Sequence, residues 1–355
     1  MCVAFLFVAN PSAPGAARAP CSVVLAVNRD EFFARPTREC HWWDDHPQIL
    51  AGRDAEAGGT WLGLTRDGRV AVLTNFTERD KIPDAPSRGE LPVGFLAVRP
   101  RSVTSSRQTA AGAHPNNPNP IHPSAPRLTR VHPRPRPQPL VAQDPDRRTP
   151  AAYLADLAPR RDEYNGFNLL VGDCRTLEFA YLGNRGEAAE APPSALVAPK
   201  TDPDDGALGA VFGLSNATLD HPWPKVLRGK AALREEMSRA ASRAGDGTGA
   251  AAVDAAAVIE RVLENRGAWT DAGSNSRADG DGATVSSDSV SSLADLPSPF
   301  VRPGDAANRP GYGTRCSTVV VVDADGAGAT VTERSLDAER RAWQPDTTTR
   351  VDFSG

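Results

Sequence analysis

A layered α+β domain with stacked sheets is the fold class this sequence predicts, and three observations point to it. Short apolar runs bounded by Gly, Pro, Asn and Asp recur along the chain, the pattern of buried strands. Two amphipathic stretches past the middle supply helices to cover the sheets. Two long segments poor in apolar residues interrupt this pattern, so the 355 residues reduce to one large domain. That domain is expected over 1–98 and 151–345, with disordered insertions over 99–150 and 267–298.

The first two runs, Val3–Ala9 and Ser22–Val27, are joined by a Pro/Gly/Ala loop and read as a hairpin. The hairpin returns Asn28-Arg29-Asp30-Glu31 to the neighbourhood of Cys2. An initiator methionine before a residue as small as cysteine is normally removed, which leaves Cys2 with a free amine. That amine has a pKa of about 7.7–8.0 and the thiol about 8.5, so both exchange protons near neutrality. An N-terminal amine beside its own nucleophile can act as general base. The plainer reading is a strand-end cysteine that follows a start codon.

Arg35-Pro36 turns the chain, and His41 to Leu50 reads as a half-buried strand. His41 and His46, with Asp44 and Asp45 between them, lack zinc-helix spacing and read as surface polar residues. Gly58-Gly59 marks a tight turn or close approach, not a phosphate loop, because no GK[ST] follows. Trp61 belongs to the core, and Arg69 to Thr74 is a buried strand. Asn75, at that strand's end, can offer its amide to a ligand.

The stretch 99–150 contains neither Lys nor Glu and holds His114, His122 and His132. It has no aromatic residue for base stacking, so a disordered insertion or a retained intron fits better than a nucleic-acid arm. Ala151 to Leu157 is a short helix, Asn165-Gly166 a turn, and the residues up to Gly172-Asp173 a strand. Leu177 to Leu182 and Ala210 to Leu214 are further strands. Pro222 and Pro224 open a helix over Lys225 to Ala244 with Val226, Leu233, Met237 and Ala240 on one face. A second helix, Ala251 to Asn265, groups Val258, Ile259, Val262 and Leu263. Strands Ser317 to Asp323 and Thr330 to Leu336, joined at Asp325-Gly326, end the domain.

A net charge of -4 offers no field to attract nucleic acid or an anionic membrane. Five cysteines without a CxxC spacing are not a disulfide framework and suit a reducing compartment. No run approaches the roughly 18 apolar residues of a spanning helix. The N-terminal run lacks the basic flank of a secretory signal, and Asp30 and Glu31 break a transit-peptide pattern. A cytoplasmic location is expected, where the sequons at Asn75 and Asn216 carry no meaning.

Seven ordered blocks resemble the NRDE family, the transport-and-Golgi-organisation protein 2 family. They are Met1-Cys2, Asn28 to Glu31, Gly58 to Gly63, Leu73 to Phe76, Gly166 to Asp173, Leu214 to Lys225 and Tyr312 to Arg315. The resemblance implies an N-terminal-nucleophile-hydrolase-like fold, a four-layer αββα sandwich, similar in layout to cysteine amidases. It implies Cys2 as nucleophile, Arg29 and Asp30 as orienting groups, Asn75 and Asn168 as oxyanion donors, and Arg315 as charge stabiliser near Cys2. It further implies links to Golgi organisation, protein secretion and haem handling, with a cytoplasmic, Golgi- or mitochondrion-associated location. The cysteine amidases place an arginine three residues before the aspartate, whereas here Asn28 precedes Glu31 and Arg29 adjoins Asp30.

Two readings follow. The first is a cofactor-free hydrolase or acyltransferase for a small amide or thioester, favoured by Cys2, Asn168 and Arg315. The second is a non-catalytic carrier or sensor of haem or an acyl chain, with Cys2 as a candidate thiolate ligand, favoured by the altered tetrad. In both, the partner is a small molecule. Asn75 and Asn168 also admit a plain role as strand caps, and Arg315 a plain ion pair with Asp30.

Overall fold

The computed structural model describes residues 2–10, 19–97, 149–196, 208–245, 253–264, 299–302, 310–337 and 342–353. The insertion expected over 267–298, and that over 99–150 up to residue 148, lie outside the described residues. Thr149 and Pro150 already belong to the fold: Thr149 caps helix α2 (Pro150–Leu157) by accepting the Ala152 N–H, with proline in its first turn.

Two antiparallel sheets of seven strands form the body. In the first, β1 (Cys2–Ala9) lies between β10 (Gly209–Leu214) and β2 (Val23–Phe32). Then follow β11 (Tyr312–Val322) and β12 (Gly328–Asp337), with β13 (Ala342–Trp343) and β14 (Thr347–Asp352) both paired to β12. The sheet thus runs past residue 345, where the sequence reading closed the domain. The second sheet follows chain order: β3 (Thr37–Trp42), β4 (Ile49–Asp54), β5 (Leu62–Thr65), β6 (Arg69–Asn75), β7 (Phe167–Asp173), β8 (Glu178–Gly183) and β9 (Ser194–Leu196).

Strand alternation fixes the layers. Ala4, Leu6 and Val8 of β1 point to the second sheet and pack with Leu62, Leu64, Val70 and Leu170. Val3, Phe5 and Phe7 point the other way, against Val226, Leu233 and Met237 of α3 (Pro224–Gly245). Val258 of α4 (Ala255–Val258) and Ile259, Val262 and Leu263 in the following π-helical turn share that layer. The far face of the second sheet is covered by Leu91, Phe95 and Leu96 of α1 (Glu90–Leu96) and by Tyr153, Leu154 and Leu157 of α2. The order is helix, sheet, sheet, helix, as the resemblance implies.

Three differences from the sequence reading have local causes. The single strand expected over His41 to Leu50 is two, because a turn intervenes in which the Ile49 N–H donates to the His46 carbonyl at 2.8 Å. Helix α4 starts later than expected because Asp254 caps it, accepting from Ala256 and Ala257. Helix α1 was not expected at all: Pro92 and Gly94 in seven residues make a poor helix former, and its buried face stabilises it instead.

Glu333 of β12 is a buried carboxylate between the sheets. It accepts from the Cys40 N–H at 2.7 Å, Thr318 at 2.8 Å and Ser335 at 3.1 Å. Burial pushes its carboxyl above the ordinary value near 4.5 in spite of these donors. The native state therefore binds more protons than the unfolded chain in the window above that value. The contribution of Glu333 to stability is full below about pH 4.5 and is lost as pH rises through its folded value. Melting curves between about pH 4 and pH 8 should show this slope in the wild type and not in Glu333→Gln.

Candidate active site

Cys2 opens β1 and is nearly buried, 7% exposed. Its backbone pairs with Arg29 of β2, and Arg29 pairs in turn with Cys316 of β11. The Cys2 carbonyl accepts the Ser215 hydroxyl at 2.9 Å, just beyond the end of β10. A cavity of about 370 Å3 opens beside Cys2, and Arg29, Asp30 and Asn75 line it as well. Four of the six residues singled out from the sequence thus meet at one place.

Arg29 and Asp30 leave β2 on opposite faces. Arg29 enters the space between the sheets, stacks 4.4 Å from the Trp61 ring, and donates to Thr37 at 3.0 Å and Asp54 at 3.4 Å. Burial alone would raise the Asp54 carboxyl, but hydrogen bonds from Arg35 and the Ala57 N–H hold it below its ordinary value. Asp54 is thus an anion that locks two arginines into the cavity wall. Asp30 accepts the Thr314 hydroxyl at 2.6 Å, and its carbonyl accepts the Tyr312 hydroxyl at 2.9 Å. Burial pushes the Asp30 carboxyl up, opposed by the charge of Lys225 and by Thr314. Burial likewise pushes the Cys2 thiol up, with Asp30 adding to the rise and Arg29 opposing it.

Lys225 was not singled out, although it belongs here. It is fully buried in the first turn of α3, where burial lowers its ammonium and the charges of Asp30 and Cys2 pull it back up. The signal was present: Lys225, Gly229, Leu233 and Met237 recur every fourth residue on the apolar stripe of the helix. A lysine in that stripe needs an anionic partner inside the fold.

Asn168 and Arg315 do not line the cavity. Asn168 is fully buried, and its Nδ2 donates to the carbonyls of Ser215 at 3.1 Å and Ala217 at 3.0 Å. Its Oδ1 accepts the Tyr181 hydroxyl at 2.6 Å. Its amide is thus committed to holding Ser215, whose hydroxyl holds Cys2. Arg315 stands at the β-bulge between Thr314 and Cys316 and donates to the carbonyls of Phe32, Phe33 and Arg35, at 2.9, 3.1 and 3.1 Å. It clasps the turn after β2 rather than pairing with Asp30. Asn75 is different: no side-chain hydrogen bond engages it among the described residues, and it lines the cavity.

Arg88 is a further cavity residue that the sequence did not mark. It precedes α1 on a loop that rests on Gly59, where the Thr60 N–H donates to the Gly89 carbonyl at 3.1 Å. A Cβ on Gly59 would lie 2.4 Å from the Gly89 carbonyl carbon, so only glycine permits this backbone approach. The Arg88 guanidinium donates to the Gly166 carbonyl at 2.8 Å.

The model of the Transport and Golgi organisation 2 family matches residues 1–119 and 131–338. The chain belongs to that family. The Transport and Golgi organization protein 2 homolog of Homo sapiens is 29% identical over 355 residues, covering 98% of each chain. The Mus musculus homolog is 28% identical over 361 residues, again 98% of each. The Drosophila melanogaster protein is 34% identical over 102 residues, 27% of this chain and 35% of that one. Among solved structures, the mutant C2A conjugated bile acid hydrolase from Clostridium perfringens matches with TM-score 0.36 and 9% identity, over 99% of this chain and 92% of that chain. The layer order described above rests on this chain's own packing and not on that likeness. No helix among the described residues is long and apolar enough to cross a membrane.

Proposed function

We propose that this member of the family is an N-terminal-cysteine hydrolase or acyltransferase for a small polar amide or thioester. The transport and Golgi organisation in its relatives' names would be the cellular setting of that reaction. The observation that carries the reading is Cys2 itself, held by its backbone at a strand end beside a cavity that Asn75 shares.

With Met1 removed, the Cys2 amine takes the thiol proton as sulfur attacks the substrate carbonyl carbon. A base acting in step with attack suits a thiol whose pKa burial has raised. The carbonyl oxygen becomes an oxyanion, for which Asn75 in the cavity wall would supply the Nδ2–H donor, worth about 3 kcal/mol if well aimed. The intermediate collapses to a Cys2 thioester as the Cys2 ammonium returns the proton to the leaving nitrogen or sulfur. Water or another acceptor, deprotonated by the same amine, then releases the acyl group. Arg29, fixed by Trp61 and Asp54, supplies steady positive potential on the thiol's side of the sheet. In this reading Asn168 and Arg315 are positioning residues.

A carrier of haem or an acyl chain fits the residues less well. The cavity wall bears Arg29, Asp30, Glu31, Arg35, Asp54 and Arg88, and its volume lies near the lower end for ligand sites, about 300–1,000 Å3. The apolar ring or chain of such a ligand would desolvate those charges, with only its carboxylate ends able to pair them. Turnover of a panel of small amides and thioesters by the full chain tests the proposal. Activity that Cys2→Ser abolishes supports it, and activity indifferent to that change refutes it.

A further inference from the structure

Six charged side chains line the cavity, and four already have a partner within the protein. Arg29 and Arg35 share Asp54, and Asp30 accepts from Thr314 in the field of Lys225. Two differ. Among the described residues Glu31 accepts only the N–H of its neighbour Phe32, at 2.9 Å. Among them Arg88 donates only to the Gly166 carbonyl. Neither makes an ion pair among the described residues. Arg88 feels the charges of Glu78 and Glu31, but Glu78 is taken by Arg185 at 2.8 Å and by the Gly166 N–H at 2.6 Å. Burial also makes the Arg88 charge costly to keep without an anion beside it.

A cavity that presents one cation and one anion, each without an ion-pair partner, selects a ligand that brings the complementary pair. We propose that Arg88 and Glu31 clamp a zwitterionic head group, Arg88 its carboxylate and Glu31 its ammonium. The substrate class would then be an amide of amino-acid type, which deepens the hydrolase reading above and rests on it for the reaction, though not for the binding. The guanidinium fork matches a planar carboxylate, and Glu31 keeps a carboxylate oxygen for the ammonium.

Calorimetric titration of the full chain carrying Cys2→Ala tests the clamp without chemistry. The probes are L-glutamine, glutaramate (no ammonium), 4-aminobutanamide (no carboxylate) and butanamide (neither). L-glutamine should bind about tenfold or more tighter than either singly charged probe, and butanamide weakest. Arg88→Met should reduce L-glutamine to the level of 4-aminobutanamide, and Glu31→Gln to that of glutaramate. Should Arg88→Met fail to fold, Arg88→Lys keeps the cation and should retain part of the carboxylate preference. Equal binding of the four probes, no binding of any, or a preference that survives both substitutions would overturn the clamp. The arms separate the two proposals: the binding order can hold while Cys2 proves inert, and Cys2 can react while the order fails.

Discussion

Cys2→Ser should lower turnover by about 10^3-fold or more while leaving the melting temperature nearly unchanged. Sulfur is intrinsically more nucleophilic than a hydroxyl oxygen and gives up its proton far more readily, so the same amine activates a serine much less in a site built for cysteine. The fold loses little, because β1 is held through the Cys2 backbone and not its sulfur: Arg29 pairs with it on one side and Ser215 donates to its carbonyl on the other. Measuring kcat/KM and Tm on the same preparation separates the two effects. A variant within tenfold of wild type would remove Cys2 from the chemistry.

Asn168→Leu should be the most destabilising change near the site. It removes a donor from the buried Ser215 carbonyl and the half-buried Ala217 carbonyl, and the acceptor of the Tyr181 hydroxyl. The Ser215 carbonyl keeps the Thr74 hydroxyl as a donor, so the Ala217 carbonyl and the Tyr181 hydroxyl carry most of the cost; at about 1–3 kcal/mol for each group left without its partner, a loss of roughly 3 kcal/mol is expected. At about 2–4 °C per kcal/mol, Tm should fall by roughly 6–12 °C. This result discriminates between roles. An oxyanion donor would cost about 3 kcal/mol in the barrier with Tm intact. A strut that holds Ser215, and through it Cys2, costs stability first and activity as a consequence.

The layers were legible in the sequence because their information is local. Alternate residues of Val3 to Val8 are all apolar, so β1 has to be buried on both faces. The hairpin that brings Arg29 beside Cys2 needs only two runs and a loop, and the observed register pairs those two residues. What was illegible depends on distant partners. An asparagine at a strand start reads the same whether its amide meets a ligand or the carbonyls of Ser215 and Ala217 on another strand's far side. Arg315 reads as a charge beside Cys2 until the bulge turns it onto the Phe32–Arg35 turn. Arg88 sits before a helix that propensity alone would not form. The apolar stripe of α3 shows that Lys225 is buried and needs an anion, but nothing nearby in sequence says that the anion is Asp30.

Intact-mass measurement of the purified full chain, before and after brief exposure to a thiol-directed alkylating probe at neutral pH, tests the central claim most directly. The account predicts loss of Met1 and a single adduct on Cys2 that forms well before any on Cys40, the half-buried cysteine. Retained Met1, or labelling of Cys2 no faster than that of Cys40, would contradict an activated N-terminal nucleophile.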